Sequence, residues 1–225
     1  MQITLIHGSD TSKSLKRLDE IKLINSEKGF ILKEIEVNSN FSIAEELIES
    51  RLFKEKYTYL VKGIDKFNKK DLLWLNNNYQ ETNISLVIFE EKEVPIGVIK
   101  KFPSCLLIQK FDIPKLIFKF LASFYPKNSS STIKLLHQIN KNDSRELTIH
   151  LLGRYLKDLY IAKISPSSLL YPAWRKSKLI FQTKLFTYAR LKKAISLFAQ
   201  YDQITKTSDM DAITLFDITI LKSLE

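Results

Sequence analysis

The sequence predicts an α/β domain with a parallel sheet over residues 1–112, followed by an all-α domain over residues 113–225. Three observations carry that expectation. Short apolar runs alternate with helix-length segments in the first half, and this leaves a helix between successive strands. The strand pattern stops at Ile113. Beyond it, apolar residues recur three and four positions apart.

The elements follow in order. "QITLIHG" reads as a strand and "TSKSLKRLDEIKLIN" as a helix. "FILKEIEV" is a second strand, and "SIAEELIESRLF" a second helix whose Ser42 and Glu45 are spaced as a capping box. "YTYLVKGI" is a third strand with apolar residues on both faces. "KKDLLWLNNNY" is a third helix, "ISLVIFE" a fourth strand and "SCLLIQ" a candidate fifth. In the second half, six segments carry helical spacing: "IPKLIFKFLASFY", "SSTIKLLHQIN", "SRELTIHLLGRYLKDLYIAK", "WRKSKLIFQTK", "YARLKKAISLFAQYDQITK" and "DAITLFDITILKSL". Breaks fall at Pro126–Ser131, Ser165–Pro172 and Thr207–Asp209. No internal repeat interrupts the pattern.

Composition narrows the class. The chain has 225 residues, 44% of them hydrophobic, which is enough for a real core. Cys105 is the single cysteine, so no disulfide framework or zinc cluster is expected. The N-terminus lacks the pattern of a signal peptide, and no window is apolar enough for a membrane span. A cytoplasmic location fits these features. The net charge of +10 fits either a nucleic-acid-facing surface or a lysine-rich composition with no such role.

The stretch "LIHGSDTSKSL" has the outline of a phosphate loop, since a strand runs through glycine into a helix. A working loop needs a glycine, four residues, a second glycine, then lysine and a hydroxyl residue. Counted from Gly8, those last three places hold Lys13, Ser14 and Leu15. Asp10 adds a negative charge where phosphates would sit. The loop at Gly8, Ser9, Asp10 and Lys13 is therefore expected to be degenerate and to bind no nucleotide.

Other catalytic patterns fail as well. Glu90 and Glu91 follow a strand and read as a solvated turn rather than a metal pair. His7, His137 and His150 are scattered without ligand spacing. His7 reads as a satisfied buried histidine and Cys105 as core. No serine stands in a nucleophile elbow. Trp174, Phe181, Phe186 and Phe198 sit at helical spacing and read as core. Asp202 and Lys206 are four apart and suited to pair along a helix.

Two stretches carry a family resemblance. One is "LIHGSD" with "SRLFKEKYTYLVKG". The other is "YPAWRKSKLIFQTKLFTYARLKKAISLFAQYDQITKTSDMDAITLFDITILKSL", with Pro172, Trp174, Lys178, Leu179, Gln182, Phe186, Leu191, Asp202, Lys206 and Thr207 as its matching features. With these the chain resembles the delta subunit of the bacterial DNA polymerase III clamp loader, in a short form lacking the lid domain. The resemblance implies an AAA+-like sheet domain that binds the clamp, followed by a helical collar for oligomerisation in which Trp174, Asp202 and Lys206 take part. It implies no independent enzymatic activity and no cofactor, because ATP hydrolysis would belong to partner subunits. The implied partners are the sliding clamp, the ATPase and delta-prime-like loader subunits, and primed DNA, with no membrane.

By position, the resemblance implies that Leu52 and Phe53 enter an apolar pocket on the clamp. Helical spacing is compatible with that. Ile43, Ala44, Leu47, Ile48 and Leu52 fan across about half the helix, and Phe53 lies about 280° from Ile43. Arg51 and Lys54 would keep such a tip solvated. The same spacing also allows Phe53 to fold back under the sheet. A free-standing nucleic-acid-binding protein and a divergent NTPase are the alternative readings of the whole chain.

Overall fold

The computed structural model describes residues 1–35, 42–49, 55–80, 84–140, 145–207 and 211–225, the side chains of 49, 140, 145, 202 and 206 excepted. The chain divides into two compact units, Met1–Ile113 and Pro114–Glu225.

The first unit is a five-stranded parallel sheet. Its strands are β1 (Gln2–His7), β2 (Phe30–Glu34), β3 (Lys56–Lys62), β4 (Ile84–Glu90) and β5 (Leu107–Lys110), in spatial order β2-β3-β4-β1-β5. The helices between them are α1 (Thr11–Glu27), α2 (Ile43–Glu49), α3 (Lys69–Asn78) and a short α4 (Ile96–Ile99). β1 is an inner strand, pairing Gln2 with Ser85 through His7 with Glu90 on one side and Thr4 with Leu107 through His7 with Lys110 on the other.

The apolar runs of β1, β3 and β4 are continuous because both sheet faces are covered over these inner strands, whereas β2 and β5 are largely exposed edges. Ile3, Leu5, Tyr59, Val61, Leu86 and Ile88 pack with Ile43 and Leu47 of α2 and Leu75 of α3. The alternate residues Ile6, Leu60, Val87 and Phe89 pack with Leu18 and Ile21 of α1. Under the far end of α1 the contact turns polar: buried Asn25 donates to Thr58 Oγ1 at 3.0 Å and to Ser85 Oγ at 3.1 Å.

Start signals act where the sequence places them. Glu45 N–H donates to Ser42 Oγ at 3.2 Å, and Ser42 N–H donates to Glu45 Oε2 at 3.0 Å. Asn68 and Asp71 form a second reciprocal box at α3. Two boundaries differ from the sequence expectation. The fifth strand starts at Leu107 rather than Ser104, and the preceding Cys105 is exposed rather than core. The second strand is assigned only to Glu34, and the end of "FILKEIEV" lies outside the described residues.

The second unit is helical: α5 (Lys115–Ser123), α6 (Ser129–Asn140), α7 (Arg145–Ile164), α8 (Ala173–Thr183), α9 (Tyr188–Thr207) and α10 (Ala212–Leu224). Its centre is aromatic. Phe216 meets Phe120, Phe198 and Tyr201 with ring centroids 6.4, 5.8 and 5.3 Å apart, and Phe124 meets Phe186 and Phe198 at 6.4 and 5.8 Å. Gln182, 6% exposed, fastens the end of α5: its Nε2 faces the carbonyls of Leu121, Ala122 and Phe124 at 3.5, 3.1 and 3.4 Å. Lys163 Nζ donates to the carbonyls of Thr183 at 2.9 Å and Phe186 at 2.6 Å, a cation placed where the end of α8 leaves acceptors free.

Candidate functional site

The first candidate is the turn after β1. Gly8 has φ 138°, and a Cβ built there would stand 2.0 Å from the carbonyl oxygen of Phe111. Only glycine allows that approach. Three hydrogen bonds close it: Phe111 N–H to the His7 carbonyl at 2.8 Å, Asp10 N–H to the Phe111 carbonyl at 2.9 Å, and Ile113 N–H to Ser9 Oγ at 3.0 Å. The segment after β5 thus occupies the space in front of the turn.

The turn is also short. α1 begins at Thr11, so only Ser9 and Asp10 separate Gly8 from the helix. Lys13 lies within the first turn of α1 rather than in a loop. Asp10, 1% exposed, caps that helix by accepting the Lys13 N–H at 3.2 Å through Oδ1. The positive end of a helix is an anion site. Here the chain's own carboxylate fills it, with Lys13 Nζ 4.0 Å away.

His7 is buried at 2% exposure, and its Nδ1 accepts the Val94 N–H at 3.1 Å. That bond places the ring proton on Nε2, which finds no partner among the described residues. Burial first, and Lys110 second, lower the pKa of this imidazole, while Asp112, Glu93 and Glu90 oppose them. Glu90 Oε2 accepts the Ile64 N–H at 3.1 Å, which makes it part of a turn. Among the described residues no three metal-ligating side chains gather.

The second candidate lies on α8. Trp174 is 71% exposed and Phe181 67% exposed, so the expectation that they are core is wrong. Helical spacing alone cannot say which face of an amphipathic helix turns inward. Leu179, Gln182 and Thr183 take the buried side. Trp174, Lys178 and Phe181, four and three apart, share the opposite one. The two rings stand about 10 Å apart along the axis. Leu170, 96% exposed, precedes the helix, and exposed Leu185 and Tyr188 follow it. Phe186 is buried as expected, and Phe198 is half-buried.

The chain segment that carries this face has charges of one sign. Between Asp158 and Asp202 the sequence holds eight Lys and Arg residues and no Asp or Glu. Lys178 and Lys184 are exposed beside the rings. That acid-free run, punctuated by Trp174, Phe181 and Tyr188, is the sequence signal that could have marked the face.

The start of α8 is held from below. Pro172 caps it without a side-chain hydrogen bond. Asp158 of α7, 6% exposed, accepts the Tyr171 hydroxyl at 3.1 and 3.0 Å and Arg175 Nη2 at 3.3 Å. The Arg175 guanidinium lies 3.8 Å from the centre of the Tyr171 ring.

Arg51, Leu52, Phe53 and Lys54 lie outside the described residues. Asp202 and Lys206 fall within α9, but their side chains also lie outside the description. Among the described residues no helix is long and apolar enough to cross a membrane.

Comparison with known proteins finds no matching family model and no matching curated protein. Among solved structures, the chain is similar to the Bacillus subtilis DNA clamp loader delta protein, with 11% identity, a TM-score of 0.44, and coverage of 100% of this chain and 95% of that one. It is also similar to a DNA polymerase III gamma subunit-related protein from Thermotoga maritima, with 14% identity, a TM-score of 0.35, and coverage of 98% and 93%. Both TM-scores lie below 0.5.

Proposed function

We propose that the chain is a non-hydrolysing, delta-like subunit of a clamp loader, which docks on a sliding clamp through Leu52 and Phe53 and contacts primed DNA through the α8 face. The sealed turn at Gly8 carries the non-hydrolysing part. Its three closing hydrogen bonds use the N–H of Asp10 and the hydroxyl of Ser9, and the buried carboxylate of Asp10 holds the helix end. A triphosphate would have to displace Phe111 and meet that carboxylate.

The clamp contact is supported by the resemblance of "SRLFKEKYTYLVKG" to the delta subunits, in which a leucine–phenylalanine pair ends a helix before an apolar strand. Fully burying the two side chains is worth roughly 1.5–3 kcal/mol each. That is enough for a small hot spot and leaves release possible after the costs of association. Docking opens the ring only to the extent that the open form is bound better than the closed one.

The DNA contact is supported by exposed rings in a cationic setting. Bases stack on aromatic side chains for roughly 1–3 kcal/mol each, and a basic surface tracks the backbone. The same face would serve a free-standing nucleic-acid-binding protein. The two readings part at the clamp.

Differential scanning of the purified chain tests the proposal. Saturating cognate clamp is expected to raise the melting temperature of the chain, because a ligand bound only by the native state stabilises it. ATP with magnesium is expected to leave it unchanged. Stabilisation by ATP together with indifference to the clamp would reverse the assignment.

A further inference from the structure

We infer that Asp158, Tyr171 and Arg175 form a positioning device that fixes the direction in which Trp174 projects from α8. The inference rests on the reading of α8 as a nucleic-acid face and assigns residues to it that make no contact with the ligand themselves.

The geometry has three parts. Asp158 comes from α7 and is almost fully buried, so its carboxylate is a fixed point. Tyr171 and Arg175 flank Pro172, Ala173 and Trp174, and both reach back to that carboxylate. The Arg175 guanidinium carbon then stands over the Tyr171 ring, 3.8 Å from its centre, closing the loop between the two arms. The first turn of α8 is thereby clamped on both sides of Trp174.

The clamp has a reason to exist. A helix that starts at proline has no side chain to cap its first N–H groups, and such a turn frays readily. A tryptophan on a fraying turn samples many directions and must lose that freedom when a base stacks on it. Held as it is, Trp174 is preorganised while 71% exposed. The arrangement also spends Arg175. Its guanidinium is turned to Asp158, so the cations left for phosphates on this helix are those such as Lys178 and Lys184.

Asp158→Asn would loosen the turn and at the same time free a cation. The freed charge raises the general affinity for any polyanion. Raw affinity therefore mixes two opposed effects. The share of binding that depends on Trp174 does not.

The experiment is a double-mutant cycle on the full chain, read by fluorescence polarisation of a labelled oligothymidylate at fixed salt. Trp174→Ala is expected to weaken binding about tenfold in the otherwise native protein, the loss of one stacked base. In the Asp158→Asn background the same substitution is expected to cost less than about twofold. Tyr171→Phe keeps the ring under Arg175 and removes only the hydroxyl, and it should give an intermediate loss. It also serves if Asp158→Asn does not fold. The chain has two tryptophans, so fluorine NMR of fluorotryptophan-labelled protein gives each its own line. The Trp174 line should sharpen and move toward the free value in both variants, while the Trp74 line stays in place.

An equal cost of Trp174→Ala in both backgrounds, with an unmoved Trp174 line, would show the cluster to be structural only. No cost of Trp174→Ala in the native background would remove the nucleic-acid reading and the device with it.

Discussion

Gly8 is the residue on which the sealed turn depends. At φ 138° a side chain is strained whatever the space, and here the space is taken by the Phe111 carbonyl. Gly8→Ala is expected to cost at least about 2 kcal/mol, measured by urea denaturation, because backbone rather than a flexible side chain must move. A variant as stable as the native chain would mean that the turn opens freely. His7 gives a pH dependence at the same place. Its pKa is lowered from 6.5 by burial, so the unfolded chain takes up the proton first. The stability that this group contributes is complete above pH 6.5 and is lost as pH falls through the lowered folded value. His7→Gln is expected to flatten the decline in melting temperature as pH falls below 6.5. The same decline in both proteins would place its origin elsewhere. Side chains such as Trp174 show where residue-scale reading of a sequence stops: composition says that a tryptophan is usually packed, and only the seating of α8 says that this one is not.

Among the elements, α8 ties the helical unit together through its inner face. Gln182 offers one amide group to three carbonyls at the end of α5, and it also hydrogen-bonds Tyr155, whose hydroxyl pKa is pushed up by burial. Gln182→Leu matches the volume and removes the donors. It is expected to lower stability by about 1–3 kcal/mol in chemical denaturation, the cost of leaving buried carbonyls unpaired. No change would show that water replaces the amide. The inner strands were legible because both faces of the sheet are covered there, so runs such as "ISLVIFE" had to be apolar throughout. The caps at Ser42 and Asp10 belong to local chemistry, yet only the former was readable as a cap. Asp10 reads first as a defect in a phosphate loop, because the loop outline of "LIHGSD" competes with the cap position it holds just before the helix at Thr11. The exposure of Cys105 and the late start of β5 depend on which residues pair with β1, a non-local fact.

At the scale of the whole chain, a net charge of +10 is a statement about partners more than about fold. Its division is uneven, since the stretch between Asp158 and Asp202 is free of acids. Oligonucleotide binding should therefore fall linearly in log affinity against log salt, with a slope of roughly −0.7 per phosphate contacted. Lys178→Gln is expected to reduce that slope by about one contact, whereas Phe181→Ala should lower affinity and leave the slope alone. Equal slopes in all three proteins would put the DNA elsewhere. Clamp binding is tested apart from DNA. Its most direct measurement is a titration of the cognate sliding clamp with the native chain and with Leu52→Ala/Phe53→Ala, followed by calorimetry. Saturable binding by the native chain, weakened at least about tenfold in the double variant, is the predicted result. No binding by the native chain, or equal binding by both, would contradict it.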